Sequence, residues 1–177
     1  MKIKIIKHKN LSRSYFNLIN KTRVREWGDS ERKNKKDFEP DTKWFFVKDG
    51  RKVVSFGGLR PIKINYLGRK YNINGICSII SIEKGKGYGK VLVKAMINYL
   101  KKNGKTGLGF TLQTKFFEKT GLKAKKNFIQ RFVYINPKTG KKTIDNEGDG
   151  IYYNGKDNFV SKVLKTKEIV YIPILHW

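Results

Sequence analysis

A single cysteine among 177 residues rules out a disulfide framework and suits a reducing, cytoplasmic setting. Met1–Asn10 carries lysine at alternate positions and no apolar segment of useful length. Neither a signal peptide nor a membrane span is expected there, and no membrane partner. Histidine occurs only near the ends, as His8 and His176, so a histidine-based catalytic centre has little to draw on. Internal repeats and low-complexity tails are also missing. Acidic residues are scarce, with 14 Asp+Glu against 40 Lys+Arg and a net charge of +26. That excess admits a polyanion contact through the basic surface. The basic residues are spread almost evenly, however, so a solvated lysine surface is the preferred reading.

What is present describes a folded chain. Hydrophobic residues make up 38% and aromatic residues 13%, enough to build one domain with a substantial core over 1–177. Lys2–Lys7 alternates as a first strand, and 11–27 has helical spacing. Trp44–Val47, the turn Lys48-Asp49-Gly50-Arg51 and Val53–Arg60 predict a hairpin, continued by an alternating strand from Ile62 to Tyr71 around a turn at Leu67-Gly68-Arg69. Ile76–Ile80 is a β-branched run that predicts a buried strand. After it, Val91, Leu92, Ala95, Met96, Ile97 and Leu100 recur at helical spacing. Further strands are predicted at 106–112, 128–135, 151–153 and 169–175, with a short helix at 115–122. The order β-α-β-β-β-α-β-α-β-β predicts an α/β fold with a mixed, strongly twisted sheet. Trp27 and Trp44 are both expected in the core.

Between the Ile76–Ile80 run and the following helix lies Ser81-Ile82-Glu83-Lys84-Gly85-Lys86-Gly87-Tyr88-Gly89-Lys90. Glycines at alternate positions ahead of a helix allow backbone N–H groups to turn inward around a phosphate. A nucleoside-triphosphate loop would need Ser or Thr after the lysine, yet Lys90 is followed by Val91. A dinucleotide loop would need G-x-x-G spacing and an acid about 20 residues later; Lys105 and Thr106 stand there instead.

Lys84-Gly85-Lys86-Gly87-Tyr88-Gly89 resembles, position for position, the [QRK]-x-x-G-x-G loop of the GNAT N-acetyltransferases. Phe116-Phe117-Glu118-Lys119-Thr120-Gly121-Leu122 resembles that family's segment after its fifth strand. The resemblance runs in family order over roughly residues 40–135. It implies a single-domain GNAT fold, helices flanking the sheet and the cofactor between two splayed central strands, with 136–177 contributing the acceptor side. The cofactor implied is acetyl-CoA, contacted by Ile79, Ile80, Ser81, Lys84, Gly85, Lys86, Gly87, Tyr88, Gly89, Lys90 and Phe117. Asp37–Trp44, the Leu67–Arg69 turn, the acidic Asp145–Tyr153 stretch and a terminal Trp177 are similar to features of the aminoglycoside 2′-N-acetyltransferases. That similarity implies acceptor contacts at Asp37, Asp41, Cys77, Ser78, Gly148, Asp149 and Trp177.

Two departures bear on the chemistry. The family's tyrosine acid is Phe117 here, which has no proton to donate, leaving Tyr88 or Ser81 as the nearest hydroxyls. The glutamate near the acceptor amine is replaced by Cys77, whose ordinary reading is a small buried apolar residue. Cys77, Asp149 and Tyr88 are the catalytic candidates. The base stays open among Asp149, Glu83 and the Trp177 carboxylate acting through water. No metal is implied. Ten of the 14 acids fall between Glu26 and Asp41 or between Asp145 and Asp157, as a cationic acceptor would require. The expected activity is therefore acetyl transfer to a small cationic amine, with a homodimer as the expected assembly. The alternatives are a protein or nucleic-acid-associated amine, and a non-catalytic CoA- or RNA-binding module.

Overall fold

A computed structural model describes residues 1–28, 34 and 41–174 of the chain. It is a mixed α/β structure with a seven-stranded sheet flanked by helices and a separate three-stranded sheet. Two compact units can be distinguished, one of Met1–Arg60 with Cys77–Ala95, the other of Pro61–Ile76 with Met96–Trp177. The second unit contains all of 136–177.

In the first unit, β1 (Lys2–Lys7) pairs antiparallel with β2 (Lys43–Asp49), from Lys2↔Lys48 to Lys7↔Lys43. The helix α1 (Arg13–Trp27) starts where Ser12 Oγ accepts the Tyr15 N–H. It stops at Gly28, whose left-handed φ of 66° lets its N–H return to Val24 O. β2 then pairs with β3 (Lys52–Tyr66) through Phe46↔Phe56, with a register shift between Val47 and Lys48. Trp44, Phe46 and Phe56 pack with Leu11, Ile19 and Ile80 into one core. Trp44 Nε1 donates to buried His8 Nδ1 at 2.9 Å, which satisfies both polar groups inside that core. His8 is thus occupied by a structural partner.

β4 (Arg69–Ser81) and α2 (Tyr88–Lys102) pass from one unit into the other. In the second unit β4 pairs parallel with β5 (Gly107–Thr111) at Asn74↔Gly107 and Gly75↔Leu108. β5 pairs antiparallel with β9 (Asp149–Tyr153), and β9 with β6 (Lys123–Lys125). A late strand is thereby inserted beside β5. The small sheet joins β7 (Phe132–Ile135) to β8 (Lys142–Ile144) on one side and to β10 (Val170–Ile172) on the other. The short helices α3 (Thr114–Glu118) and α4 (Phe159–Leu164) complete the unit.

The structure corrects several expectations. The strand predicted over 128–135 is a 3-10 turn at Phe128–Arg131 followed by β7. Asn127 enters that turn at a left-handed φ of 54°, and its N–H donates to Asp149 Oδ1. A side chain elsewhere in the fold thus bends what reads locally as a strand. β6, β8 and α4 were not anticipated. α4 begins where Asp157 Oδ1 accepts the Phe159 N–H and Asn154 Oδ1 accepts that of Val160, and it buries Phe159, Val160 and Val163. Trp44 is 1% exposed, but Trp27 at 49% lies on the surface with the Arg23 guanidinium 5.9 Å from its ring.

Gly155 supports one test of the second unit. A Cβ there would lie 2.4 Å from Lys105 C and 2.5 Å from Thr106 N, both backbone atoms that cannot step aside. Gly155→Ala should cost about 1–3 kcal/mol by urea unfolding, the range for overpacking. Stability within a few tenths of wild type would mean that the backbone at Lys105 and Thr106 yields to a methyl group.

Candidate functional site

The end of β4 is tied down from β3. Ser55 Oγ donates to Ile80 O at 2.8 Å, and the Ile82 and Glu83 N–H groups both reach Val54 O, at 2.9 and 3.4 Å. Gly57 and Gly58 permit the close approach, since a Cβ would come within 2.5 Å of Ile79 Cδ1 or 2.8 Å of Cys77 Sγ respectively. Ser78 adopts a φ of 52°, left-handed for a non-glycine residue inside a strand. Such a conformation is unfavourable by roughly 1–3 kcal/mol and persists only where its neighbours enforce it. Half-buried Cys77 has its Sγ 3.5 Å from Gly58 O.

Beyond this pin, Gly85 and Gly87 turn the loop with φ of 79° and 75°. Lys90 and Val91 donate to Gly87 O at 3.0 and 3.2 Å, starting α2. Among the described residues the N–H groups of Lys84 to Gly89 find no protein acceptor. An α-helix leaves its first donors unpaired, and positive potential gathers there. Side chains hold this loop instead. Lys84 Nζ meets Glu26 at 2.8 Å, while Glu83 bridges Lys52 and Lys86 at 2.5 and 3.0 Å. Hydrogen bonds from Lys52 and then Lys86 hold the Glu83 carboxyl below its ordinary pKa, which unsuits it as a proton acceptor. The Tyr88 hydroxyl donates to Asp49 Oδ2 at 3.0 Å. That bond, and burial after it, raise the phenol's pKa. Ser81 Oγ donates to Glu83 O at 2.8 Å. Both candidate hydroxyls are thus already engaged by protein acceptors.

In the second unit a cavity of about 250 Å³ is lined by Phe110, Thr111, Leu112, Ile129, Tyr134, Asp145, Glu147 and Gly148. Burial, and after it the Asp145 charge, raise the pKa of the Tyr134 phenol. Gly148, an expected acceptor residue, lines this cavity. Asp149 is not among the lining residues; its Oδ1 accepts the Asn127 N–H at 2.8 Å. Phe117 is 7% exposed and packs edge-on against Phe116 at 5.0 Å. Asp41 is exposed at a turn before β2, while Asp37 and Trp177 lie outside the described residues. Asp145, Glu147 and Tyr134 were not singled out from the sequence. The acidic stretch containing the first two was, but alternation alone does not say which of 145, 147 and 149 faces a cavity. Among the described residues no helix is long and apolar enough to cross a membrane.

The model of the acetyltransferase (GNAT) family matches residues 12–121. No curated protein matches the chain by sequence. Among solved structures, Escherichia coli ElaA shares 13% identity at a TM-score of 0.58, with 86% of this chain and 99% of that one covered. An N-acetyltransferase from Staphylococcus aureus shares 16% at 0.53, with 86% and 97% covered. A GCN5-related N-acetyltransferase from Kribbella flavida shares 14% at 0.55, with 71% and 34% covered. This chain thus spans about a third of the Kribbella protein's length. At these identities the likeness is one of fold.

The Tyr88–Asp49 bond has a titration signature. Because the phenol's pKa is raised in the folded protein, its stabilisation is present below the ordinary phenol range. It is lost as pH rises through the raised value. Asp49→Asn should return the Tyr88 pKa toward the ordinary value of about 10 in an alkaline titration of the ring carbon shift. An unchanged titration would show that the carboxylate does not hold the phenol.

Proposed function

This chain belongs to the acetyltransferase (GNAT) family, and from that premise we propose an acetyl-CoA-dependent N-acetyltransferase acting on a small cationic amine. An aminoglycoside is the compound class that the similarity in the acidic segments suggests. The observation that carries the donor assignment is the run of N–H groups from Lys84 to Gly89 with no acceptor among the described residues. A pyrophosphate is the right partner for such donors at a helix N-terminus. Lys84, Lys86 and Lys90 add positive charge, and the backbone of Ile79, Ile80 and Ser81 is assigned to the pantetheine arm. Acetyl-CoA, when bound, supplies an activated acetyl thioester.

The chain's own residues bind, orient and manage protons. A backbone N–H at the end of β4 is proposed to stabilise the thioester oxygen as it gains charge. Phe117 contributes packing. Asp145 and Glu147 are proposed to hold the acceptor's ammonium groups. A carboxylate beside an ammonium stabilises the charged form, so those acids favour binding over deprotonation. Loss of the proton then needs a water-mediated route. Tyr88 and Glu83 are poor candidates for it, given their partners, and Asp149 is better explained as the anchor of Asn127.

A second reading, a macromolecular acceptor, draws on the +26 net charge. Salt separates the two. A polyanion-bound acceptor loses affinity steeply as counterions are restored, whereas a small cation in an acidic cavity responds shallowly.

Two variants test the proposal. Gly87→Asp places a negative charge and a strained L-residue where φ is 75°. It should abolish CoA binding by calorimetry while far-UV circular dichroism is unchanged; retained binding would refute the loop assignment. Asp145→Asn with Glu147→Gln should raise the acceptor's KM about tenfold, equivalent to ~1.4 kcal/mol, and leave that of acetyl-CoA within about twofold. Equal effects on both would refute the acidic cavity as the acceptor site.

A further inference from the structure

The second unit carries a larger groove, about 700 Å³, that the acetyl-transfer reading does not use. Along β3 the residues Ile62, Ile64 and Tyr66 are buried while Lys63 and Asn65 are exposed; along β4, Tyr71 and Ile73 are buried while Lys70 and Asn72 are exposed. The period of two thus places both lysines and both amides outward. All four line the groove, together with Tyr171 of β10. Among the described residues neither lysine has a carboxylate partner, and neither amide side chain has a protein hydrogen bond. That contrasts with Lys84 and Lys86, which are ion-paired.

Tyr171 leaves 46% of its surface exposed, and Lys142 Nζ lies 5.3 Å from the centre of its ring. Ile135 and Pro173 extend an apolar lining beside it. Among the described residues no acid lines the groove.

We propose that this groove binds single-stranded nucleic acid. Its chemistry is that of a nucleotide strand: lysines at phosphate positions, an exposed aromatic ring and apolar floor for a base, and amides able to donate and accept at base edges. An acidic peptide would use the lysines but leave the ring and floor without a flat partner. A duplex would bury its bases away from both.

The test uses the full chain and fluorescence anisotropy with labelled twelve-nucleotide oligo-U and oligo-dU, a matched duplex and poly-Glu. The single strands should bind most tightly. Lys63→Gln with Lys70→Gln should weaken single-strand binding about tenfold and flatten the salt slope by roughly 1.4, at 0.7 per lost phosphate contact. Tyr171→Ala should weaken it about fivefold or more while leaving the slope unchanged, as loss of stacking does. The control pair Lys2→Gln with Lys4→Gln, on β1, removes the same charge and should have less than half the logarithmic effect. Thermal melts confirm that each variant is folded; should Tyr171→Ala unfold, Tyr171→Leu replaces it. Equal losses for groove and control pairs, preference for duplex or poly-Glu, or no binding at low salt would each overturn the proposal. Preference for RNA over DNA would support it and identify the 2′-hydroxyl as read.

Discussion

Peptide N–H groups with no acceptor among the described residues are the constraint around which the first unit is arranged. Among the described residues the N–H groups from Lys84 to Gly89 have no protein acceptor, so ordinary backbone pairing does not hold the loop in place. Side chains do so instead, through Glu83 to two lysines, Lys84 to Glu26 and Tyr88 to Asp49. The incoming strand is fixed just before the loop by Ser55 and by Val54 O. Exposed ion pairs contribute little individually to stability. Their effect here is to restrict where the loop can go.

The scarce acids show the same economy. Glu26, Asp49 and Glu83 position the loop. Asp149 and Asp157 accept backbone N–H groups, at Asn127 and Phe159, and so shape the turn before β7 and the start of α4. Asp145 and Glu147 instead line a cavity. In a chain of +26, most carboxylates could be neutralised at the surface by any neighbouring lysine. Asp149 and Asp157 are instead half-buried and bonded to backbone N–H groups, and Asp145 and Glu147 share a cavity.

Much of the fold was legible because it follows from local pattern. β1 occupies the predicted Lys2–Lys7, and the hairpin, glycine loop and α2 fall where apolar periodicity and turn residues place them. Legibility declined after about residue 120. β6 and β8 are three residues each, too short for alternation to be read. α4 has only three buried apolar positions, and its start depends on side-chain caps from Asn154 and Asp157. Trp27 misled because hydrophobicity says how a residue gains by burial, not whether its helix turn faces the core.

The sequence by itself determined the strand–glycine loop–helix unit and the family, since conformations such as the φ of Gly85 and Gly87 depend on near neighbours and on the absence of Cβ. It also determined that acids cluster in two segments. Tertiary structure alone decided what those acids do: Asp145 and Glu147 line a cavity, while Asp149, two residues on, folds back to Asn127. It likewise decided that β9 lies between β5 and β6, and that Tyr88 donates to Asp49, 39 residues earlier. These outcomes rest on contacts between distant chain segments, whose geometry exists only once the core has packed and the strands have taken their register.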